Sequence, residues 1–372
     1  MDIEQFRNEI PATAECCYLN TGASGPSPER VVAAETEFLR RHKLQAPCGD
    51  GMYDVAFDAL GSARETVASF LGTAPENVAL TESTVEGINH VSTGIEWDEG
   101  DIVVRTDAEH SAGRLPWERM RDLHGIEIKT LETETGRIDP DSYATAVEDA
   151  RLVCLNSPTW NYGTRLPIGE LVDVAHDAGA QVLVDAVQAP GQMAFDVEDW
   201  GADFVAASGH KWLLGPWGSG FLYVADDALE TLSPRRIGYF SVENPKTAGY
   251  EYYPDARRFE LGTRALAPYV GLEAAVNTIQ SVGLKRIEGQ ITRLTDRLKD
   301  GLGDRLLSPA DAETGLVTFA AEEPESLVER LGTEGIKIRV LPDPHACRVS
   351  VHAFNTATEI DQLLDALERH SQ

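Results

Sequence analysis

A short apolar run that stops at a polar cluster and then gives way to helical periodicity recurs along the first part of this chain. Each repeat reads as a βα unit, because a short continuous apolar run suits a strand that is buried on both faces. Consecutive βα units build a parallel sheet covered by helices, so the pattern predicts an α/β fold with a mostly parallel, doubly wound sheet. A sixth run, 220–224, follows too closely to leave room for a crossover helix and should pair antiparallel. The five runs are 77–82, 101–106, 151–156, 181–185 and 204–208.

The pattern changes after Phe259. A long helical stretch from about Pro268 to Leu302 precedes several short apolar runs, and strands grouped with flanking helices are typical of an α+β domain. We therefore predict a large domain over residues 18–258 and a smaller α+β domain formed by residues 1–17 and 259–372. The C-terminal runs lie at 316–320, 336–341 and 348–354, and a final amphipathic helix is predicted at 357–370.

The balance of charge excludes several classes of protein. The chain has 61 Asp and Glu residues against 32 Lys and Arg residues, a formal net charge of −29. Proteins that bind nucleic acid neutralise phosphates with basic side chains, so we exclude a nucleic-acid partner. No apolar run reaches the roughly 18 residues that a spanning helix needs, and residues 1–15 lack the basic start of a secretory signal. We expect a cytoplasmic protein that has no membrane partner.

Lysine is scarce even among the few basic residues, since it supplies 7 of the 32. An acid-rich, lysine-poor surface suits concentrated salt, where the screening length falls to about 3 Å and self-repulsion is largely removed. We therefore hypothesise a halophilic cytoplasm. The alternative is an acidic protein without salt dependence.

Five cysteines occur, at positions 16, 17, 48, 154 and 347. Their number is odd and no Cys-x-x-Cys pair is present, so the sequence predicts neither a disulfide framework nor a zinc site. We expect no bound metal.

In open α/β sheets the ligand site lies beyond the carboxyl ends of the strands. Each of the five runs ends in polar residues, so residues that are far apart in the sequence should meet at one edge of the sheet. The candidates are Ser83, Thr84, His110, Asp185, Gln188, Ser208, His210 and Lys211.

Lys211 and Asp185 together suggest a specific chemistry. A lysine directly after a buried strand is partly desolvated, which favours the neutral amine that forms a Schiff base with a carbonyl group. A carboxylate at the end of the neighbouring strand can pair with a cationic ring nitrogen, as pyridoxal 5′-phosphate (PLP) requires. The alternatives are a surface lysine and an aspartate that caps a helix.

Phosphate recognition requires hydroxyl and amide groups at the start of a helix. Ser83 and Thr84 precede a predicted helix, and Ser208 and His210 follow another strand. Helix caps are the alternative interpretation for the hydroxyl groups. No Gly-x-Gly-x-x-Gly or Walker loop is present, so a dinucleotide or nucleoside-triphosphate site is not expected.

The chain resembles the class V aminotransferases, the group of PLP enzymes of fold type I that includes the cysteine desulfurases. The resemblance rests on motifs that occur in the family's order over almost the whole length. They are Tyr18-Leu19-Asn20-Thr21-Gly22-Ala23, Glu109-His110 before Leu115-Pro116-Trp117, Asp185-Ala186-Val187-Gln188-Ala189, Ser208-Gly209-His210-Lys211 before Gly215-Pro216-Trp217-Gly218, Phe259-Glu260-x-Gly262-Thr263, and Cys347-Arg348-Val349-Ser350.

The resemblance implies a role for each matching residue around the cofactor. Lys211 would form the Schiff base and act in catalysis with His110, which would stack on the cofactor ring. Asp185 would hold the pyridine nitrogen, and Gln188 would touch the phenolic oxygen.

The resemblance also implies contacts with the cofactor phosphate and with the substrate. Ser208 and His210 would bind the phosphate with Ser83 or Thr84, and Thr263 would reach the phosphate of a neighbouring subunit in a homodimer with a shared active site. The substrate would be an amino acid whose carboxylate Arg348 binds, with Trp160 and Ala23 also in contact with it. A surface ion pair is the alternative for Arg348.

The chain also departs from the family pattern at three places. Val85 stands where many relatives have a threonine, so the hydroxyl group for the phosphate is expected from either Thr84 or Ser83. Trp160 stands where desulfurases have an asparagine, and an aromatic side chain there would change the floor of the substrate pocket. The alternative is that Trp160 only packs against its neighbours. The loop between Arg339 and Arg348 is short and lacks the nucleophilic cysteine of the desulfurases, and Cys347 is expected to be structural.

The leading hypothesis is a PLP enzyme that acts on an α-amino acid through a Cα carbanion, as an aminotransferase or a β-eliminating lyase. One alternative is a cysteine desulfurase or selenocysteine lyase, which would need a nucleophile such as Cys48. The other is a non-catalytic scaffold that keeps the fold.

Overall fold

The computed structural model describes residues 1–312 and 314–370. Its strands are β1 (Cys17–Tyr18), β2 (Val78–Thr81), β3 (Ile102–Thr106), β4 (Glu127–Leu131), β5 (Ala150–Asn156), β6 (Gln181–Asp185), β7 (Phe204–Ser208), β8 (Gly220–Val224), β9 (Leu316–Phe319), β10 (Ile336–Lys337), β11 (Arg339–Pro342) and β12 (His345–Ser350).

The helices lie between and after these strands, and none of those described is long and apolar enough to cross a membrane. They are α1 (Ile3–Asn8), α2 (Ala12–Glu15), α3 (Glu29–Arg40), α4 (Met52–Leu71), α5 (Thr84–Gly94), α6 (Ser111–His124), α7 (Pro140–Val147), α8 (Ile168–Asp177), α9 (Val197–Trp200), α10 (Asp226–Leu229), α11 (Ala267–Val282), α12 (Leu284–Leu302), α13 (Pro324–Thr333) and α14 (Ala357–His370).

The main sheet has seven strands in the order β2-β8-β7-β6-β5-β3-β4. Strands β3 to β7 pair in parallel, whereas β8 pairs antiparallel with both β2 and β7. This confirms the mostly parallel sheet and the antiparallel sixth run that the sequence predicts. The carboxyl ends of β3, β5, β6 and β7 therefore meet at one edge.

The central strands are buried because both faces of the sheet are covered by helices. Every residue of β7 and β8 is buried, as are the last four residues of β6. Their side chains divide between two apolar clusters, with Val184 and Val205 in one and Leu183 and Phe204 in the other. Since this alternation places each strand between two cores, the strand ends are held in fixed positions.

Three elements differ from the sequence expectation. Strand β4 was not anticipated, since it lies at the edge of the sheet and its residues are only partly buried or exposed. The long C-terminal helical stretch is divided at Gly283, which has a positive φ of 94° and separates α11 from α12. The run at 336–341 forms two strands, because β10 pairs with β1 while β11 pairs with β12.

A second, three-stranded sheet in the order β11-β12-β9 lies in the C-terminal part of the chain. Its strands are antiparallel, and β11 and β12 form a hairpin in which Pro342 pairs with His345. Helix α14 covers the residues that the sequence predicts. The division into domains at 18–258 and at 1–17 with 259–372 stays a prediction.

Candidate active site

Lys211 lies in the turn that follows β7, close to the N-terminal segment of the chain. Gly25 N donates a hydrogen bond of 2.8 Å to His210 O, and a Cβ atom on Gly25 would lie only 2.3 Å from Lys211 O. Glycine is therefore needed where the two segments meet. The pKa of Lys211 is lowered to about 7, because burial and the cations of Arg348 and Arg339 outweigh the opposing effect of Asp185. A large fraction of the amine is consequently neutral at neutral pH.

Asp185 ends β6 and is buried. Its Oδ1 accepts a hydrogen bond of 3.1 Å from Val187 N. Burial raises the pKa of this carboxyl group, whereas Lys211 lowers it. The alternative that Asp185 caps a helix is wrong, because residues 186–190 form turns and the next helix, α9, begins at Val197.

Three hydroxyl groups lie at the start of α5. Ser83 is the N-cap and its side chain accepts a hydrogen bond of 3.2 Å from Glu86 N. The Oγ of Ser208, at the end of β7, lies 2.7 Å from both the amide nitrogen and the Oγ1 of Thr84. The amides at this helix start and the three hydroxyl groups form an arrangement that suits a phosphate group.

His210 lies beside this cluster. Its ring centroid is 4.6 Å from that of Trp217. Burial and the neighbouring Lys211 lower its pKa to about 4, so the imidazole is neutral near pH 7. In that state one ring nitrogen donates and the other accepts.

Gln188 is held on both sides by protein groups. Its Nε2 donates to Gly22 O at 3.1 Å, and its Oε1 accepts from Trp212 Nε1 at 2.7 Å. Because Trp212 directly follows Lys211, the amide orientation is coupled to the lysine turn. One N–H of Gln188 remains for an additional acceptor.

His110 is the N-cap of α6 and is exposed. It lies near Lys211 and Arg348, which together with Asp185 surround the space that we call the cleft. Its Nδ1 accepts a hydrogen bond of 3.3 Å from Ala112 N, and its ring meets that of Trp160 edge to face with centroids 5.2 Å apart. Partial desolvation lowers the pKa of His110, and the nearby cation of Lys211 lowers it further. The ring is therefore neutral at neutral pH.

Arg348 lies on β12 and is 1% exposed. Its Nη1 donates to Trp160 O at 2.6 Å, but its Nε and Nη2 find no hydrogen-bond partner among the described residues. A Cβ atom on Gly22 would lie 2.7 Å from Leu316 Cδ2 and 3.1 Å from Arg348 Nη2, so a glycine lets the N-terminal segment approach the guanidinium without a shift of these side chains. A buried guanidinium with two free nitrogens suits a carboxylate ligand.

Trp160 contacts this guanidinium through its carbonyl group, and Ala23 is the residue after Gly22, which packs against it. Ala23 follows Gly22 and its amide donates to Asn20 O at 2.9 Å. Trp160 is half-buried and its Nε1 has no partner within residues 1–312 and 314–370. The surface-ion-pair alternative for Arg348 is wrong, because the side chain is buried and its recorded bond goes to a carbonyl.

Arg339 is a candidate that the sequence analysis did not single out. It lies directly opposite Arg348 across the β11–β12 hairpin, and its cation lowers the pKa of Arg348, His110 and Lys211. The nine-residue spacing around a two-residue turn could have revealed this pairing, because residues at matching distances from a hairpin turn face each other.

The β11–β12 hairpin contains one cysteine, Cys347, and no cysteine in its turn. Its turn consists of Asp343 and Pro344. Cys347 is buried, its Sγ bonds to Pro324 O at 3.8 Å, and burial raises its pKa to about 12. Cys48 is exposed at the end of a 3₁₀ turn.

Thr263 is not brought together with the other candidates within this chain. It is exposed, and its Oγ1 bonds to the hydroxyl group of Tyr239. A contact with the phosphate of a neighbouring subunit stays a prediction.

These residues fit PLP. The cleft contains a lysine amine of lowered pKa, a buried carboxyl group beside it and a helix start with hydroxyl groups. These are the groups needed to hold an aldehyde, a pyridine nitrogen and a phosphate, respectively. No group of three potential metal ligands occurs among the described residues.

Comparison with known proteins places the chain in a family. The profile of the family described as Aminotransferase class-V matches residues 17–363. A probable cysteine desulfurase of Methanothermobacter thermautotrophicus is 32% identical, and the alignment covers 99% of this chain and 98% of that protein.

Two solved structures are similar over nearly their whole length. The apo cysteine desulfurase of Thermococcus onnurineus has a TM-score of 0.92 at 29% identity, and the alignment covers 98% of this chain and 97% of that one. The cystine C–S lyase C-DES, solved with its product cysteine persulfide, has a TM-score of 0.90 at 26% identity and coverages of 96% and 98%. The prediction of fold type I is confirmed. The chain belongs to the class V aminotransferase family and is a PLP-dependent enzyme that acts on an amino acid.

Proposed function

We propose that this enzyme is a lyase that eliminates a sulfur-linked β-substituent from an α-amino acid. The observation that supports this proposal most directly is that the turn of the β11–β12 hairpin, formed by Asp343 and Pro344, contains no thiol group. Cys347 in the same hairpin bonds to Pro324 O and has a raised pKa, so it supplies no thiolate at neutral pH. Sulfur would therefore leave on the substrate fragment instead of passing to the enzyme.

The proposed roles follow from the positions of the side chains. Lys211 attaches the cofactor, and Asp185 pairs with its pyridine nitrogen. Ser83, Thr84, Ser208 and His210 bind its phosphate, and the free N–H of Gln188 reaches its phenolic oxygen. When bound, PLP withdraws electrons from Cα and so makes the Cα proton acidic.

The remaining steps belong to side chains of the chain itself. Arg348 binds the α-carboxylate through Nε and Nη2, while Trp160 O fixes the orientation of the guanidinium. Ala23 and Trp160 border this position. The neutral amine of Lys211 takes the Cα proton, and the Cβ–S bond breaks as its electron pair leaves with sulfur. Neutral His110 lies at the mouth of the cleft, where it can cover the cofactor ring and exclude water.

Arg339 favours a substrate with two acidic groups. Two guanidinium groups face each other across the hairpin, and Arg348 needs only one carboxylate. We assign to Arg339 a second acidic group on the leaving fragment, as in cystine. Elimination from cystine with one water would give pyruvate, ammonia and cysteine persulfide, the product named for the structurally similar C–S lyase.

Product analysis tests this function. The purified enzyme, kept in concentrated salt, is incubated with cystine, cysteine or aspartate, and the products are identified. We expect pyruvate and ammonia from cystine in preference to cysteine. Accumulation of pyridoxamine phosphate would instead establish transamination, and the absence of any product with all three would contradict an enzymatic role.

Cysteine desulfuration is the second candidate, favoured by the similar desulfurases and by the exposed Cys48. It predicts alanine and sulfide from cysteine, and loss of both in Cys48→Ala. The same variant should leave pyruvate formation from cystine unchanged if elimination is the reaction.

We also propose that the enzyme is a cytoplasmic homodimer. Tyr53, Phe57 and Tyr239 are exposed apolar side chains that line a groove of about 1000 Å³. Exposed aromatic patches of this kind mark protein interfaces. Tyr239 bonds to Thr263, so a second copy on this face would come close to the residue assigned to its phosphate. Light scattering should give twice the monomer mass for the wild type. The Tyr53→Asp variant should have the mass of the monomer.

A further inference from the structure

A second carboxyl group, that of Glu109, lies next to Asp185 and has no part in the steps above. Glu109 is 7% exposed and precedes His110. Its Oε1 accepts hydrogen bonds of 3.0 Å from Thr106 Oγ1 and 3.0 Å from Asn156 N. Since Thr106 ends β3 and Asn156 ends the adjacent β5, the carboxyl group joins the two strand ends at the edge that carries the site.

Two buried oxygen atoms in this cluster are unsatisfied. Glu109 Oε2 and Asn156 Oδ1 have no hydrogen-bond partner in the described part of the chain. The side-chain nitrogen of Asn156, Nδ2, donates to Ala108 O at 2.7 Å. The Asn156 side chain is also close enough to hydrogen-bond with Glu109. A proton on Glu109 Oε2 would turn that atom into a donor, so it would supply what Asn156 Oδ1 lacks.

The surrounding charges do not favour an ionised Glu109. Asp185, whose Cα pairs with that of Asn156 across β5 and β6, adds a like charge. Arg105 on β3 is bonded elsewhere, to Arg114 O at 3.1 Å and to Glu118 at 2.8 Å. Burial raises the pKa of Glu109 to about 8 with a further contribution from Asp185, and this outweighs the hydrogen bonds from Asn156 and Thr106, which lower it. The titratable or charged groups around it are Asp185, Cys154, His110, Arg105 and, beyond Asp185, Lys211.

We infer that Glu109 is held as a neutral carboxylic acid in the working enzyme and is a positioning residue, which fixes Asn156 and leaves the charge next to the cofactor on Asp185. The inference rests on the proposed role of Asp185. If Glu109 lost its proton to solvent, the two carboxylates would repel each other and the site would lose its donor to Asn156.

Infrared spectroscopy tests the protonation directly. The full-length holoenzyme and the same chain after removal of PLP are compared with Glu109→Gln, which keeps the acceptor and offers an N–H in place of the O–H. We expect a carboxylic-acid C=O band at pH 7 that Glu109→Gln removes and Asp185→Asn retains. A spectrum from which Glu109→Gln removes no such band would overturn the inference, whatever reaction the enzyme catalyses.

The pH dependence of unfolding provides a second readout. Because the folded pKa of Glu109 is raised, its contribution to stability is full below the ordinary carboxyl pKa and is lost as pH rises towards 8. The difference in Tm between Glu109→Gln and the wild type should therefore shift in favour of the variant from pH 5 to pH 8 and stay constant above pH 8. A difference in Tm that stays constant with pH would mean a merely structural role.

Glu260→Gln is the matched control. Glu260 is also buried, but it bonds to Arg64 at 2.8 Å and to Leu80 N at 3.0 Å. Its removal leaves a buried cation without its partner, so this variant should lose stability at neutral and at alkaline pH.

Discussion

The polar groups on the two sides of the cleft differ in how far they are satisfied. On the side formed by the seven-stranded sheet, the groups proposed to hold the cofactor are satisfied, since Ser208 bonds to Thr84 and Gln188 bonds to Trp212 and Gly22. The exceptions at this edge are Glu109 Oε2 and Asn156 Oδ1, which lack partners among the described residues. On the side formed by the β11–β12 hairpin and the N-terminal segment, several buried atoms have no partner among the residues described. They are Arg348 Nε and Nη2, Ser350 Oγ, Asn20 Oδ1 and Thr21 Oγ1.

In terms of the proposed roles, the difference separates a cofactor site that keeps its shape by itself from a substrate site that needs an anion to complete it. Unsatisfied buried donors reduce stability, so they persist where a ligand supplies the acceptor. Truncation of a polar residue on the sheet side should therefore lower the free energy of unfolding. Truncation of an unsatisfied residue on the hairpin side should raise it. The predictions below test this contrast.

The largest effect is expected from Lys211→Ala. Loss of the amine removes both the attachment of PLP and the base for the Cα proton, so kcat/KM should fall by at least about 10³-fold. Borohydride reduction followed by peptide mapping should label position 211 in the wild type. The exposed Lys285→Ala is the control and should retain both activity and label. A label elsewhere in the wild type would refute the assignment.

The reactivity of Lys211 should depend on pH well below the range of an ordinary lysine. Its pKa of about 7 means that the rate of PLP attachment to the apoprotein rises about tenfold per pH unit below 7 and flattens above it. Asp185 raises this pKa, so Asp185→Asn should move the midpoint to lower pH. The measurement is the growth of cofactor absorbance after mixing. A midpoint near that of a free lysine side chain would contradict the desolvation argument.

The sheet side of the site was largely predictable from the sequence. Asp185, Ser208 and Lys211 follow buried strands, and the rule that ligands bind at the carboxyl ends of parallel strands places such residues together. Strand β4 was missed because an edge strand with exposed residues lacks the continuous apolar run of its neighbours.

The hairpin side was less accessible to sequence reasoning. The burial of Arg348 and the missing partners of its nitrogens depend on packing by Gly22, which is more than 300 residues away in the chain. The pairing of Arg339 with Arg348 depends on strand register, and the protonation inferred for Glu109 depends on its burial beside Asp185. Contacts between distant segments decide these properties, and no local pattern encodes them.

Arg348→Met should separate stability from function on the hairpin side. It removes the two hydrogen bonds offered to the substrate carboxylate, so kcat/KM should fall on the order of 100-fold, mainly through KM. It also replaces an uncompensated buried charge by an apolar chain of similar length, so the free energy of unfolding should rise by about 1 kcal/mol. Urea denaturation of the substrate-free enzyme measures the second effect. A lower stability would show that Arg348 is already satisfied without substrate.

The smallest of these effects concerns the sheet side, where Ser208→Ala should act in the opposite direction on stability. The change leaves the amide of Thr84 without its acceptor, so unfolding should become easier by about 1–2 kcal/mol, and the affinity for PLP should fall about tenfold. Ser241→Ala is the matched control, since this buried hydroxyl group donates to Glu260 O at 2.7 Å on another part of the molecule. It should lower stability without changing the affinity for PLP, measured by fluorescence titration of the apoprotein. Equal losses of affinity in the two variants would mean that Ser208 acts on the cofactor only through general stability, and the contrast between the two sides of the cleft would then fail.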